Sequence, residues 1–275
     1  MDLRLASLLL LLGAAAPALA TEPCAHSAPR QLSLDLAGVR DIVFEIGPHE
    51  LRLDARAGTS GEVGGRACAS DARDLERLKL AQRKDGDTLV VRAWREDGAV
   101  SGLFGGRYAE LRLTAQVPAT LPVRIEVGSG DAWVTGVASL TGAVGSGDLD
   151  VRGVRDAVEL KVGSGDIQVD GAGSLSIGSI GSGDVSARNI RGDVEVGSIG
   201  SGDFSLERAG GRVGIGSVGS GDVELSAVAG AIEVGSIGSG DLDVRDAASL
   251  RVRSIGSGDV SHREVRGTVD IPRRR

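Results

Sequence analysis

The stretch EVGSIGSGDFSLERAGGRVGIGSVGSGD, residues 195–222, contains the tetrapeptide GSGD twice, and its two aspartates are 19 residues apart. From residue 128 onward the chain contains this tetrapeptide eight times, at intervals of 17 to 19 residues. A near-constant interval of this length is typical of repeat proteins, in which each repeat forms one structural unit. The aspartates of the eight copies are Asp131, Asp148, Asp166, Asp184, Asp203, Asp222, Asp241 and Asp259.

Each repeat contains two short runs in which apolar and polar residues alternate. Residues 204–206 (FSL) directly follow one GSGD, and residues 213–215 (VGI) precede the next one after a glycine-containing turn. A period of two is typical of a strand with one buried face, so each repeat predicts two β-strands. From Ile180 onward, a Gly-Ser-apolar step precedes the next GSGD, which indicates a β-bulge in the later repeats.

A single repeat offers too few inward side chains to offset the conformational entropy that it loses on folding. If the repeats stack as coils, however, their strands pair with those above and below and their apolar positions form one continuous core. We therefore predict an all-β fold in which residues 127–271 form a single-stranded β-helix, or β-solenoid. Its GSGD corners should align about 4.8 Å apart, with Gly allowing the turn and Ser and Asp satisfying backbone N–H groups.

The predicted column of eight aspartates raises an electrostatic question. Neighbouring carboxylates at this spacing repel each other by roughly 1 kcal/mol even with the dielectric constant of water. Hydrogen bonds from backbone N–H groups together with solvent screening can offset this repulsion, and a Ca²⁺ ion held between coils is the alternative. The sequence lacks the nine-residue spacing of calcium-binding β-helix repeats, so the prediction is a structural turn ladder with no cofactor.

The N-terminus has the features of an export signal. An apolar run over residues 6–16 follows Arg4, and Ala-Leu-Ala at residues 18–20 fits a signal peptidase site, so residues 1–20 are predicted to be a signal peptide. No later segment approaches about 20 apolar residues, and no membrane span is predicted. We expect a periplasmic, secreted or cell-surface protein, and in such a compartment Cys24 and Cys68 are expected to form a disulfide.

Residues 21–126 lack GSGD and are predicted to be a β-rich segment that caps the first coil. Residues 84–87 (KDGD) indicate a hairpin, and residues 71–77 a short helix. Residues 100–106 (VSGLFGG) are predicted to form a mobile loop, and the basic tail, residues 272–275, to stop further strand pairing. Strands are predicted over residues 31–36, 42–46, 51–55, 77–82, 88–93, 108–117 and 123–127.

The recurrent GSGD-h-x-h pattern behind a secretion signal, in which h is an apolar residue, resembles bacterial β-strand-repeat families of unknown function, notably the autotransporter adhesin "head GIN" domain. The resemblance covers about residues 127–271. It implies a β-helix and a role in cell-surface adhesion, and it supplies no catalytic residues. The chain has no room for a translocating outer-membrane barrel, so a periplasmic location is expected as much as surface display.

A β-helix enzyme acting on polysaccharide or acyl substrates is the alternative function. Acyltransferases with coils of similar length use a histidine base, and of His26, His49 and His262 only the last lies in the repeats. Sugar binding usually recruits aromatic side chains, but the repeats contain only Trp133, expected to close the first coil, and Phe204, expected in the core. The sequence therefore favours a non-catalytic protein.

Two short motifs are interpreted as coincidences. Residues 214–219 match G-x-G-x-x-G but precede a predicted strand, whereas nucleotide binding by this motif requires a helix. Arg191-Gly192-Asp193 spells the integrin-binding tripeptide at an ordinary turn position. The net charge of −7 and the scattered arginines exclude nucleic acid as a partner. We therefore expect a non-catalytic exported β-solenoid, adhesin-like or structural, whose partner is a protein or a cell-envelope or surface glycan.

Overall fold

The computed structural model describes residues 24–96 and 107–272. Within these residues the chain forms 22 β-strands and one short helix, α1 (Ala72–Leu75). The strands are β1 (His26–Ser33), β2 (Asp41–Gly47), β3 (Glu50–Arg56), β4 (Glu62–Ala69), β5 (Leu78–Asp85), β6 (Thr88–Arg95), β7 (Ala109–Pro118), β8 (Val123–Val127), β9 (Ala132–Thr135), β10 (Leu140–Val144), β11 (Leu149–Arg152), β12 (Ala157–Val162), β13 (Ile167–Ala172), β14 (Ser174–Ile180), β15 (Val185–Ile190), β16 (Val194–Ile199), β17 (Phe204–Ala209), β18 (Val213–Val218), β19 (Val223–Ile237), β20 (Leu242–Ile255), β21 (Val260–Val265) and β22 (Val269–Asp270).

The repeats form coils of two strands, and each strand pairs in parallel with the equivalent strand of the next coil. Strands that precede a GSGD stack on one side, which we call face I, as in β10–β12 and β16–β18. Strands that follow a GSGD stack on the other side, face II, as in β11–β13 and β15–β17. The all-β fold with a β-solenoid is therefore confirmed. Each coil has a second corner, where a face II strand leads into the next face I strand. The long strands β19 and β20 continue through this second corner and contribute to both faces.

The core lies between the two faces and is built by the alternation seen in the sequence. In β17, Phe204 and Leu206 are 1% and 2% exposed while Ser205 points outward. Phe204 is therefore a core residue, as predicted. Trp133 does not close the end of the solenoid: it lies on the outer side of β9, half-buried, and the guanidinium carbon of Arg52 lies 4.2 Å from its ring centroid.

The coil that contains Trp133 is not the end of the solenoid, because the parallel stack extends beyond the GSGD repeats into the segment predicted as a cap. Strands β2 and β3 form a coil beneath β8 and β9, with parallel pairing on both faces. A terminal coil, β6 and β7, lies beneath that one. The spatial order is therefore β6–β7, then β2–β3, then β8–β9, which differs from the order along the chain.

Antiparallel strands close this end of the solenoid. On face I, β5 pairs with β6, and on face II, β4 pairs with β7 and β1 pairs with β4. The side chain of Arg30 on β1 donates to the carbonyl oxygens of Leu75 and Leu78, at 2.6 and 3.1 Å, and so occupies backbone acceptors at the rim. The parallel stack therefore ends in antiparallel strands on both faces.

Several local predictions for this region can be compared with the structure. The hairpin is confirmed, since β5 and β6 pair up to Asp85 and Thr88 around Gly86. The short helix is confirmed as α1, where the Asp71 carboxylate accepts from Arg73 N at 3.0 Å as an N-cap. Strand β4 was not predicted, and β1 begins five residues before the predicted 31–36 because its partner is β4. The predicted signal peptide, the loop over residues 100–106 and Arg273 to Arg275 lie outside the described residues.

The predicted bulge is confirmed at the boundary between β12 and β14. Leu160 pairs with Ile177, but Val162 pairs with Ile180, so β14 contains one extra residue. The following face I strands keep this longer form in register, as in β14–β16 and β16–β18.

The second corner contains a column of residues with left-handed backbone conformation. The first three positions are glycine, and the later five are larger residues with φ between 51 and 66°. This conformation costs a non-glycine residue of the order of 1–2 kcal/mol, so the inter-coil hydrogen bonds must impose it. The column consists of Gly136, Gly153, Gly171, Asn189, Arg208, Ala227, Asp246 and Glu264.

Candidate functional site

The GSGD corners stack directly on one another through backbone hydrogen bonds. Ser146 N and Gly147 N both donate to Gly128 O of the preceding corner, at 2.8 and 3.1 Å. A Cβ atom on Gly147 would overlap the carbonyl oxygen of Gly130. The same overlap recurs at the second glycine of each later corner, so this position excludes every side chain.

The aspartates of these corners form a ladder of hydrogen bonds between coils. In each step the Oδ1 atom of one aspartate accepts from the backbone N–H of the aspartate in the next coil, at 2.7 to 3.1 Å. The carboxylates thus bind backbone donors and remain exposed to solvent. The pairs are Asp131–Asp148, Asp148–Asp166, Asp166–Asp184, Asp184–Asp203, Asp203–Asp222, Asp222–Asp241 and Asp241–Asp259.

Substitution of Asp203 separates the acceptor role of this ladder from its charge. Asp203→Ala leaves Asp222 N without its acceptor at 2.8 Å and should lower the free energy of unfolding by about 1 kcal/mol in urea titrations. Asp203→Asn keeps an oxygen acceptor and removes one repelling charge, so its stability should stay within about 0.5 kcal/mol of the parent. Equal losses in both variants would show that the negative charge itself is required, as a bound cation would demand.

The metal-ligating side chains of the described residues do not form a cluster. Among residues 24–96 and 107–272, no group of three or more His, Cys, Asp or Glu side chains is arranged to hold a metal ion. His26 lies on β1 and His262 on β21, near opposite ends of the solenoid, and both are exposed. No described helix is long and apolar enough to cross a membrane.

Face I carries small residues over four consecutive coils. We call this surface the glycine–serine strip. It is bordered by charged side chains, among them Glu195 and Glu233, which pair with Arg212 and Arg253 at 3.0 and 3.8 Å. The strip consists of Gly178, Ser179, Gly197, Ser198, Gly216, Ser217, Gly235 and Ser236.

Ion pairs lie along the strands of face II as well as beside the glycine–serine strip of face I. Arg152 pairs with Asp150 at 2.6 Å, and Arg188 pairs with Asp170 of the neighbouring coil at 2.8 Å. Hydrogen bonds from Arg188 and then Asn189 hold the pKa of Asp170 below its usual value. These charges are therefore already partnered within the surface.

His49 is a buried polar residue that the sequence did not single out. It lies in the corner between β2 and β3, at the position of the second glycine of GSGD, and is 1% exposed. Its Nδ1 accepts from Leu111 N at 3.2 Å, and Nε2 has no partner among the described residues. Burial, reinforced by the charge of Arg95, lowers the pKa of His49 to about 4. The sequence GPHE gave no signal because its turn residues indicate a loop, not burial.

The disulfide predicted between Cys24 and Cys68 is confirmed. Its Cα atoms are 5.3 Å apart, and it links residues separated by 44 positions. Cys68 lies on β4 and is fully buried, so the bond anchors the first described residue to the capping strands.

The two motifs interpreted as coincidences serve the solenoid itself. Asp193 accepts from Arg212 N at 2.9 Å, and the Arg191 side chain donates to carbonyl oxygens two coils earlier, including Val154 O at 3.3 Å. The G-x-G-x-x-G sequence lies on strand β18 and in the corner that follows it.

Comparison with known proteins gives a family match and several similar folds. The family model described as Toastrack DUF4097 matches residues 56–264. The resemblance to the head GIN domain is not confirmed. No curated protein matches the chain.

Several solved structures have a similar fold. A candidate adhesin from Parabacteroides distasonis is 15% identical with a TM-score of 0.56, covering 86% of this chain and 97% of its own. A candidate adhesin from Bacteroides fragilis is 16% identical with a TM-score of 0.50, covering 88% and 99%. A candidate lipid-binding protein from Parabacteroides distasonis is 15% identical with a TM-score of 0.51, covering 90% and 98%. At this identity the likeness shows a shared fold.

Proposed function

Since the chain belongs to the Toastrack DUF4097 family, a domain family of unknown function, we propose that it is an exported, non-catalytic β-solenoid. In this proposal it binds a protein or glycan of the cell envelope or cell surface through face I, as an adhesin does. The similar folds of the two candidate adhesins support this proposal. The disulfide supports export, because such bonds persist in oxidising compartments.

The observation that carries the proposal is the size of face I. In the described residues the parallel part of this face comprises eleven strands, from β6 to β22, which span about 48 Å at about 4.8 Å per strand. Strands of five residues are about 17 Å long, so the face offers roughly 800 Å². This area is similar to the surface that each partner buries in a standard protein interface.

The glycine–serine strip favours face I over face II as the binding surface. Glycine and serine lose little side-chain entropy when a partner covers them, and they allow the partner to approach the backbone. On face II, a partner must desolvate ion pairs such as Arg152–Asp150, which are already satisfied. A partner therefore gains more free energy on face I.

The proposal is tested with one bulky substitution on each face. Ser198 lies in the strip on β16, and Ser186 is an outward serine on β15 of face II; both are exposed. Ser198→Arg should weaken binding to sedimented cell-envelope fractions and to purified envelope polysaccharides at least about tenfold, while Ser186→Arg should bind like the parent chain. Circular dichroism establishes that both variants are folded. Unchanged binding by Ser198→Arg, or a loss confined to Ser186→Arg, would contradict the assignment to face I.

The same proposal requires neither turnover nor a metal cofactor. Purified chain should show no activity on polysaccharides or acyl donors, and a chelator should leave its melting temperature unchanged. Measurable turnover that His262→Ala, Asp131→Ala or Asp148→Ala abolishes would favour a β-helix enzyme instead. A melting temperature lowered by several degrees in chelator would assign a cation to the aspartate ladder.

A further inference from the structure

His49 lies at the seam between the terminal coil, β6–β7, and the coil above it, β2–β3. Its ring accepts the backbone N–H of Leu111 on β7 at 3.2 Å. On the opposite side, Gly130 of the first GSGD corner packs against the backbone of His49 and donates to Gly47 O at 3.1 Å. The imidazole is therefore the side-chain link between the capped end and the repeat region at this corner.

The neutral ring is required for this contact. An Nδ1 atom that accepts a hydrogen bond carries no proton, so the ring proton is on Nε2. Protonation would make both ring nitrogens donors, and Nδ1 would then oppose the N–H of Leu111. It would also place an unpaired positive charge in a site that is 1% exposed, near Arg95. Both effects destabilise the state in which His49 is buried and bonded to Leu111 N.

We propose that His49 is an acid-sensitive latch, whose protonation opens the seam between β7 and β3 and loosens the capped end of the solenoid while the GSGD coils stay folded. The GSGD coils contain no equivalent link, because glycine occupies the position of His49 in each of the described corners. Opening exposes the apolar end of the coil β2–β3, which includes Leu51 and Leu53. Acid would thus change which surface the protein presents.

The charged groups around the corner already have partners. On β3, Glu50 accepts from Arg52 at 3.0 Å, and on β7, Glu110 accepts from Arg112 at 2.7 Å. In the adjacent corner, Asp131 accepts from Asp148 N at 3.1 Å. On β6 the facing group is Arg95, which disfavours a second positive charge. These three carboxylates are therefore bonded to other groups, and Arg95 repels the protonated ring of His49.

The direction of the pH effect follows from the two states of the corner. The folded pKa of about 4 is below the value of about 6.5 for an exposed histidine, so the open state binds the proton more readily. Stability of the corner is complete above about pH 6.5 and is lost as the pH falls toward 4. Between pH 7.5 and 5.0 the opening equilibrium should rise about 30-fold.

Native-state hydrogen exchange tests the latch in the intact chain. The exchange of Leu111 N–H and of β3 amides, corrected for the intrinsic pH dependence, should show the 30-fold increase in opening at pH 5.0, whereas amides of β17 and β18 should not change. His49→Asn supplies an acceptor oxygen and does not titrate, so its opening should be independent of pH over the same range. The His49→Asn variant keeps every carboxylate and arginine of the parent chain, so a difference in pH dependence between the two is due to His49.

Two results would overturn the latch. Protection at Leu111 that is equal at pH 7.5 and 5.0 in the parent chain shows that protonation does not open the seam. A uniform loss of protection along all coils shows global destabilisation without a latch. Both results come from the parent chain alone, so the test holds even if His49→Asn does not fold.

Discussion

Replacing Gly202 by alanine is expected to lower the free energy of unfolding by about 3–5 kcal/mol. The new Cβ atom would overlap the carbonyl oxygen of Gly183 in the coil below. That oxygen belongs to a backbone held by inter-coil hydrogen bonds, such as Ser201 N to Gly181 O at 2.8 Å. Because neither coil can move without breaking these hydrogen bonds, the free-energy cost should exceed that of ordinary overpacking. Urea unfolding monitored by circular dichroism measures it.

Gly178→Ala is the matched control for this experiment. Gly178 also lies in the repeats, but a Cβ atom there would first meet the flexible side chain of Lys161 at 3.4 Å. Its unfolding free energy should change by less than about 0.5 kcal/mol. If Gly202→Ala and Gly178→Ala have equal effects, the close stacking of the corners is not what selects glycine.

Removal of the disulfide is the second change with a large expected effect. The variant with Cys24→Ser and Cys68→Ser should lose about 4 kcal/mol of unfolding free energy, because the bond closes a loop between residues 44 positions apart. The reason is that the cross-link restricts the unfolded chain. Urea unfolding of the parent with and without dithiothreitol should reproduce the difference.

The double variant also supplies the control for reduction. Dithiothreitol should leave its unfolding curve unchanged, since it has no bond to reduce. A parent chain whose unfolding midpoint is insensitive to the reductant would show that the capping strands are held by their pairing alone. Strand β1 would then remain on β4 through the register from His26–Ala69 to Ser33–Glu62.

The repeats could be predicted from the sequence because each of their signals is local. The GSGD letters mark one corner, the alternation in residues 204–206 marks a strand, and the extra step before Ile180 marks the bulge. Near-constant spacing then fixes the pairing of each strand with the equivalent strand one repeat later. The same signals place Phe204 in the core.

The N-terminal coils could not be predicted in the same way, because their pairing is not set by sequence order. GPHE at residues 47–50 takes the place of GSGD, and β8 pairs with β2 although β6, which comes earlier in the chain, pairs with the other edge of β2. Strand β4 contains two glycines, which hide its alternation. Trp133 was misplaced for the same reason, since the coil beneath it was not anticipated.

The second corner shows a further limit of local reasoning. Gly153 and Gly171 are suited to the left-handed conformation, but Arg208, Ala227 and Glu264 have no intrinsic preference for it. Their conformation is imposed by the coils on either side. His49 is similar, because its burial depends on β7 and on the first GSGD corner, which are distant in sequence.

The strand order also determines how the solenoid can be assembled. The pair β2–β3 is the earliest parallel layer in the described chain, and strands that follow it cover both of its edges, β6 and β7 on one side and β8 and β9 on the other. If the strands pair in the order in which they occur in the chain, the solenoid is extended from this layer in two opposite directions. The alignment of this layer then sets the register of every layer added afterwards, so an error there would be copied along the entire length of the protein.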